Sequence, residues 1–264
     1  MAQAEQLGAA PAGLALPGRV TVLRVVIIAA VLATWEAVAA SGLLFRDVVP
    51  SLTVIGRAVA SLLVEENFYW HLGVTAGEVG TGLLIGGLAG LTVGIVLGGS
   101  RFLSRAFESY LYYLGPTPKI IFFPVMIMWF GVGPGSKVAM GAISCFFPIA
   151  LSVAAGMRQI DDVLIRVGKS FRASTWQMVA KIYLPAMRAP IVNGVRLGLG
   201  VAIIGTLLAE TKLSNRGVGF LIINSYSTFN MPRMYSLLIV VFVLAIGVNA
   251  LVSRLGNLEA VKGR

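Results

Sequence analysis

Long apolar runs alternate with short polar breaks along this chain. Six runs, at approximately 22–41, 73–98, 106–131, 137–157, 188–210 and 234–255, reach the length a membrane-crossing helix requires, about 20 residues each. The pattern predicts an all-α polytopic membrane protein with about six transmembrane helices. After the first run the period changes. Val54, Ile55, Ala58, Val59, Leu62 and Leu63 recur at helical spacing behind Ser51, which predicts an amphipathic helix lying on the outer surface with Ser51 as its cap. Between the fourth and fifth runs lies the longest polar stretch, about 158–187, holding Arg158, Arg166, Lys169, Arg172 and Lys181. Such a loop must lie in water. Trp176, Val179, Ile182 and Tyr183 fall at helical spacing within it, so it also carries a short amphipathic helix, a surface built to receive a partner.

Composition agrees: 57% of residues are hydrophobic and 12% charged, against roughly 25% charged in soluble domains. The net charge of +10 raises nucleic acid as a partner, but no soluble basic face exists to hold it. Topology explains the charge better. Of 21 Lys and Arg, fourteen fall on the side that carries the polar loop, six on the other, and Lys119 inside a span. By the positive-inside rule the loop and both termini are cytoplasmic. The stretch Met1–Gly18 lacks Lys and Arg, so it is no signal peptide. The expected organisation is a disordered cytoplasmic tail over 1–20 and a single transmembrane domain over 21–264. One cysteine, Cys145, and one histidine, His71, exclude an internal disulfide and a zinc cluster. Cys145 reads as a buried packing residue and His71 as an interfacial one.

Within the second run Gly82, Gly86, Gly90, Gly94 and Gly98 recur every four residues. Small residues in this register let another helix approach closely, which predicts a tight helix–helix seam. Pro116, Pro118 and Pro124 in the third run and Pro148 in the fourth predict kinks that line a cavity. Intramembrane charge is costly and marks function: Lys119 either meets an anionic solute or snorkels to the interface, and Glu210 either serves a pathway or pairs with Lys212. Covalent chemistry finds no support. Gly168-Lys169-Ser170 resembles the end of a phosphate-binding loop, but Val163 stands where that loop needs glycine.

The polar loop, reading Arg166-Val-Gly168-Lys-Ser-Phe171-Arg172-Ala173-Ser174-Thr175-Trp176-Gln177 and on to Ile182-Tyr-Leu184-Pro185, resembles the cytoplasmic loop of ABC importer permeases. That family's pattern is Glu-Ala-Ala, three residues, Gly, nine residues, Ile, one residue, Leu-Pro. Leu114-Gly-Pro-Thr-Pro118, Met128-Trp-Phe-Gly-Val-Gly133, Phe146-Phe147-Pro148, Ala209-Glu210 and Gly217-Val-Gly219 are similar to the nitrate/sulfonate/taurine branch. The resemblance implies a type I importer permease fold and transport of a small anionic solute across the bacterial cytoplasmic membrane. It implies a coupling helix at about 166–177 docking on a cytoplasmic ABC ATPase, which alone binds ATP and Mg. It also implies a periplasmic or lipid-anchored solute-binding protein and a second permease subunit. Lys119, Phe147 and Glu210 are the candidates for the solute pathway.

Arg166 stands at the family's Glu, Val167 and Gly168 at its two Ala, and Arg172 at its Gly. Arg cannot take a left-handed backbone without cost, so the turn before the coupling helix is expected to differ, and the second permease to be a non-identical chain that keeps the usual pattern. The main rival function is an ion-gradient-driven secondary transporter, which needs several embedded carboxylates; only Glu210 and, weakly, Glu78 qualify. A membrane scaffold without transport is a third class, and it would need no kinked spans.

Overall fold

In lipid, the backbone must satisfy its own hydrogen bonds, and runs of this length do so as helices. The computed structural model describes residues 19–42 and 48–262; the expected tail over 1–18 lies outside them. The described residues contain helices and no strands. They divide into two compact units, Met1–Gly56 and Arg57–Arg264.

The first unit holds α1 (Arg19–Ser41), apolar on all sides. It buries none of its most hydropathic 18-residue window, which is why it clusters apart. Near its end Trp35 Nε1 donates to the Pro50 carbonyl at 3.1 Å, and Glu36 accepts from the Leu52 N–H at 2.9 Å. Leu52 opens α2 (Leu52–Leu62), which runs past the unit boundary. The carboxylate of Glu36 therefore takes an orphan first-turn donor, while Ser51, expected as the cap, shares its hydroxyl with Thr53 at 3.0 Å.

The second unit continues with α3 (Glu66–Gly99), α4 (Arg101–Leu114), a 3-10 turn at Lys119–Phe122, α5 (Phe123–Phe130) and α6 (Pro134–Arg158). There follow α7 (Asp162–Ser170), α8 (Thr175–Met178), a π-turn at Val179–Tyr183, α9 (Leu184–Ala186), α10 (Arg188–Lys212), α11 (Val218–Ser227) and α12 (Met231–Lys262). Five helices are long and apolar enough to cross a membrane, and α4 with Lys119–Phe130 makes a sixth span bent by 92°. That third span is broken rather than merely kinked, because Pro116 and Pro118 remove donors and Pro118 is extended. Pro148 behaves otherwise: α6 stays helical through it.

The core of this unit is α6. It buries Met140, Cys145, Ile149, Ala150, Val153, Ala154 and Met157, and Cys145 is a packing residue as expected. The glycines of α3 lie against it in step. A methyl at Gly82 would sit 2.9 Å from the Val138 carbonyl oxygen, at Gly90 2.8 Å from that of Phe146, at Gly94 2.8 Å from that of Ala150 and at Gly98 2.8 Å from that of Ala154; at Gly86 it would overlap that of Ala142. Both partners advance by four, so α3 and α6 run parallel with backbones in contact. An adjoining face of α6 receives α10 antiparallel: a methyl at Gly194 would meet Ser152 Cβ at 3.0 Å, at Gly198 Ile149 Cδ1 at 2.7 Å, and at Gly205 the Met140 carbonyl at 2.9 Å.

Two glycines of α3 test this packing. A side chain at Gly86 meets backbone that cannot yield, whereas Gly80 has nothing within 4 Å. Gly86→Ala should lower the detergent unfolding midpoint, with a cost of about 1–3 kcal/mol expected of an overpacked core. Gly80→Ala on the open face should leave the midpoint unchanged or raise it, by up to ~1 kcal/mol in helix propensity. Equal effects at the two positions would refute the seam.

Candidate functional site

The polar loop is two helices joined by a closed turn. Asp161 caps α7, accepting from the Val163 N–H at 2.7 Å. Asp162 in the first turn and Lys169 in the last oppose the helix dipole in the favourable sense. At the far end the Ala173 N–H reaches back to the Gly168 carbonyl at 3.0 Å and the Arg172 N–H to that of Lys169 at 2.9 Å. This pair of bonds is a Schellman closure, and its left-handed position is Arg172, at φ 51°. Arg172 therefore holds this position at the steric cost glycine would avoid.

Ser174 then starts the second helix. Its hydroxyl accepts from the Gln177 N–H at 3.3 Å, and Gln177 Oε1 accepts from the Ser174 N–H at 2.8 Å, a reciprocal capping box. The expected single coupling helix at 166–177 is therefore split: Arg166 and Gly168 belong to α7, Phe171 to Ser174 form the turn, and Thr175 to Gln177 open α8. The two helices are clamped at Gly168, where an added methyl would lie 2.5 Å from both Met178 Sδ and Ile182 Cδ1. Met178 and the half-buried Ile182 and Tyr183 face inward. Trp176 leaves that face and is 76% exposed, beside Phe171 at 83%. Arg166, Arg172, Ser174, Thr175 and Gln177 are exposed too, and Ala173 is half-buried. The turn thus offers two large aromatic rings among cationic and amide groups.

The opposite end of the bundle holds a buried polar network. Glu210, on α10, is fully buried. Its Oε1 accepts from Thr75 Oγ1 at 2.7 Å and its Oε2 from the Gly219 N–H at 2.6 Å. Thr75 in turn accepts from the Val218 N–H at 2.8 Å, and His71 Nδ1 from the Gly217 N–H at 3.0 Å. Three consecutive N–H groups at the start of α11 are so held by α3 and α10. Gly217 permits this through its φ of 95° and because any side chain there would overlap the Glu210 carboxylate. Lys137 is buried beside the network and donates to the carbonyls of Val132, Gly133 and Leu213. Glu78, 4% exposed, approaches Glu210 within hydrogen-bonding reach, but its Oε2 has no partner.

These contacts revise three expectations. Glu210 forms no ion pair with Lys212 among the described residues; it fastens α11. His71 is buried within α3 rather than interfacial. Lys137, expected at the outer edge, is inside. Lys119 and Phe147 do come together: Lys119 Nζ lies 5.1 Å from the Phe147 ring centroid and donates to the carbonyls of Gly115 and Thr117. They stand at the bend of the broken span, apart from Glu210. The network's His71 and Thr75 escaped sequence reasoning, yet His71, Thr75, Glu78 and Gly82 continue the glycine stripe along one face of α3, and that register was the available signal.

Comparisons with known proteins agree with this architecture. The family model described as binding-protein-dependent transport system inner membrane component matches residues 83–258. The chain is 28% identical over 212 residues to the putative aliphatic sulfonates transport permease SsuC of Bacillus subtilis, covering 80% of this chain and 77% of that one. It is 29% identical to the taurine transport system permease TauC of Escherichia coli (73% and 71% covered) and 25% identical to the nitrate import permease NrtB of Synechococcus elongatus (86% and 85%). Among solved structures, an inward-facing MetNI methionine ABC transporter chain superposes with a TM-score of 0.60 at 19% identity, over 78% of this chain and 96% of that one, a likeness of fold.

Two substitutions probe the two ends. Arg172→Gly removes the left-handed penalty and should stabilise the turn by about 0.5–1 kcal/mol after the entropic cost of glycine. Amide exchange at Arg172 and Ala173 should slow by a few-fold, and faster exchange would contradict the assignment. Glu210→Ala strands the Thr75 hydroxyl and the Gly219 N–H in a dry interior and should cost roughly 2–4 kcal/mol. The unfolding midpoint in detergent reads this directly, and an unchanged midpoint would remove Glu210 from the structural role.

Proposed function

This chain belongs to the binding-protein-dependent transport system inner membrane component family, and from that premise we propose how its parts work. It is the membrane-spanning permease of an ATP-driven importer, with the 158–187 loop and both termini cytoplasmic. The loop docks on an ABC ATPase that supplies nucleotide and Mg, and a solute-binding protein delivers cargo from the other side. The observation that carries this reading is the closed turn with Phe171 and Trp176 outward. Exposed aromatic rings beside Arg172 have the make-up of an interface hot spot. They ask for an apolar groove with an acidic rim on the ATPase.

The mechanical consequence follows from connectivity. The loop leaves α6 at Arg158 and enters α10 at Arg188, two helices packed closely along their length. Motion of the ATPase is passed to α6 and α10 as a unit, which favours rigid-body rocking over bending. The solute is a small anion. Support comes from the relatives named for sulfonates, taurine and nitrate, and from Lys119 at the bend of the third span. The embedded carboxylates give the gradient-driven alternative little, since Glu210 spends both oxygens on fixing Thr75 and α11. The second permease is either a further copy of this chain or a non-identical relative.

The test is co-purification of the full chain with its ATPase. Trp176→Ala and Phe171→Ala should each reduce ATPase capture by about tenfold or more, as hot-spot truncations do, with detergent unfolding unchanged. Capture undiminished in the double variant would refute the docking surface. A stably folded wild-type chain that captures no ATPase would refute the importer reading itself.

A further inference from the structure

We propose that the corner between α3, α4 and α7 is a binding site for the phosphate headgroup of an anionic lipid. A cavity of about 700 Å³ opens there, with Arg101, Arg105, Arg158, Lys169 and Asp162 among its lining residues. Its charges do not cancel. Arg158 is engaged by Glu108 at 2.6 Å, while Arg101, Arg105 and Lys169 join no ion pair among the described residues. Asp162 opposes one of them, which leaves an excess of two cations facing one space. The Ser100-capped N-terminus of α4 adds its dipole in the same sense.

Arg101 and Arg105 also line a second hollow of about 530 Å³, with Phe102 and Ala106, and Phe102 is 77% exposed. The same two arginines thus separate a cationic cavity from an apolar channel on the side of α4. An amphiphile fits this arrangement, with its phosphate among the cations and its chain along Phe102. A free anion would leave the apolar hollow unused. In the orientation proposed above this corner lies at the cytoplasmic interface, where anionic lipids and basic side chains meet. Because α7 contributes one wall through Lys169, a lipid held here would tie the polar loop to the membrane. The site rests on charge and cavity alone and does not require the solute or the ATPase to be known.

The experiment uses the full chain purified in mild detergent, with lipid retention read by native mass spectrometry after incubation with phosphatidylglycerol or phosphatidylcholine. The expected result is retention of phosphatidylglycerol over phosphatidylcholine. Each juxtamembrane cation contributes about fivefold, so Arg101→Gln/Arg105→Gln should lose phosphatidylglycerol by roughly 25-fold and Lys169→Gln alone by about fivefold. The charge-matched control Lys181→Gln/Arg188→Gln, outside the cavity, should retain it. Should the arginine pair fail to fold, Lys169→Gln decides the matter alone. Equal loss in the control would overturn the site in favour of diffuse surface charge. Inorganic phosphate displacing the lipid at equal concentration would show a free-anion site instead. Release of the lipid on adding the ATPase would show a protein interface.

Discussion

The contact of bare backbone between α3, α6 and α10 is the constraint on which the second unit depends. In a bilayer, burying apolar side chains gains little, because lipid tails are as apolar as the residues they replace. Close approach has to supply the attraction, through dispersion and weak Cα–H···O contacts that act only at short range. Glycine provides that range on both faces of α6, from Gly82 to Gly98 on one and from Gly194 to Gly205 on the other. A single added methyl along the α3 row meets peptide groups, which cannot rotate away as a side chain can.

Fixing α6 in this way gives its two ends distinct tasks. At one end the row of small residues on α3 passes into His71 and Thr75, and these, with Glu210, satisfy the first N–H groups of α11. A helix start buried in lipid would otherwise leave those donors unpaired at a cost of several kcal/mol each. At the other end α6 feeds the polar loop through a three-residue connection. The loop is stiffened at every joint: Asp161 caps α7, a Schellman closure ends it, and a capping box starts α8. The exposed aromatics therefore sit on a frame that transmits displacement rather than absorbing it.

Much of this was legible from order and spacing. Six apolar runs gave the spans to within a few residues at most ends, and the glycine register announced a seam. The misreadings share a cause. Glu210 was set beside Lys212 because they are neighbours in sequence, yet its partners come from Thr75 and Gly219 across the bundle. His71 was placed at an interface because it precedes an apolar run, but α3 begins at Glu66 and carries it inside. Arg172 was expected to change the turn, and the hydrogen bonds around it hold it left-handed nonetheless.

The sequence by itself determined that the chain spans a membrane, how many times, which end is basic and where the loop lies. Those properties depend on local hydropathy, charge and backbone propensity, which each segment expresses alone. Only the tertiary structure decided which helix the glycines face, that the third span turns through 92°, and that Glu210 fastens α11. It also decided that four cations line one cavity. Each of these depends on the juxtaposition of residues tens to more than a hundred positions apart, and a glycine register or a lone carboxylate in a one-dimensional pattern does not name its partner.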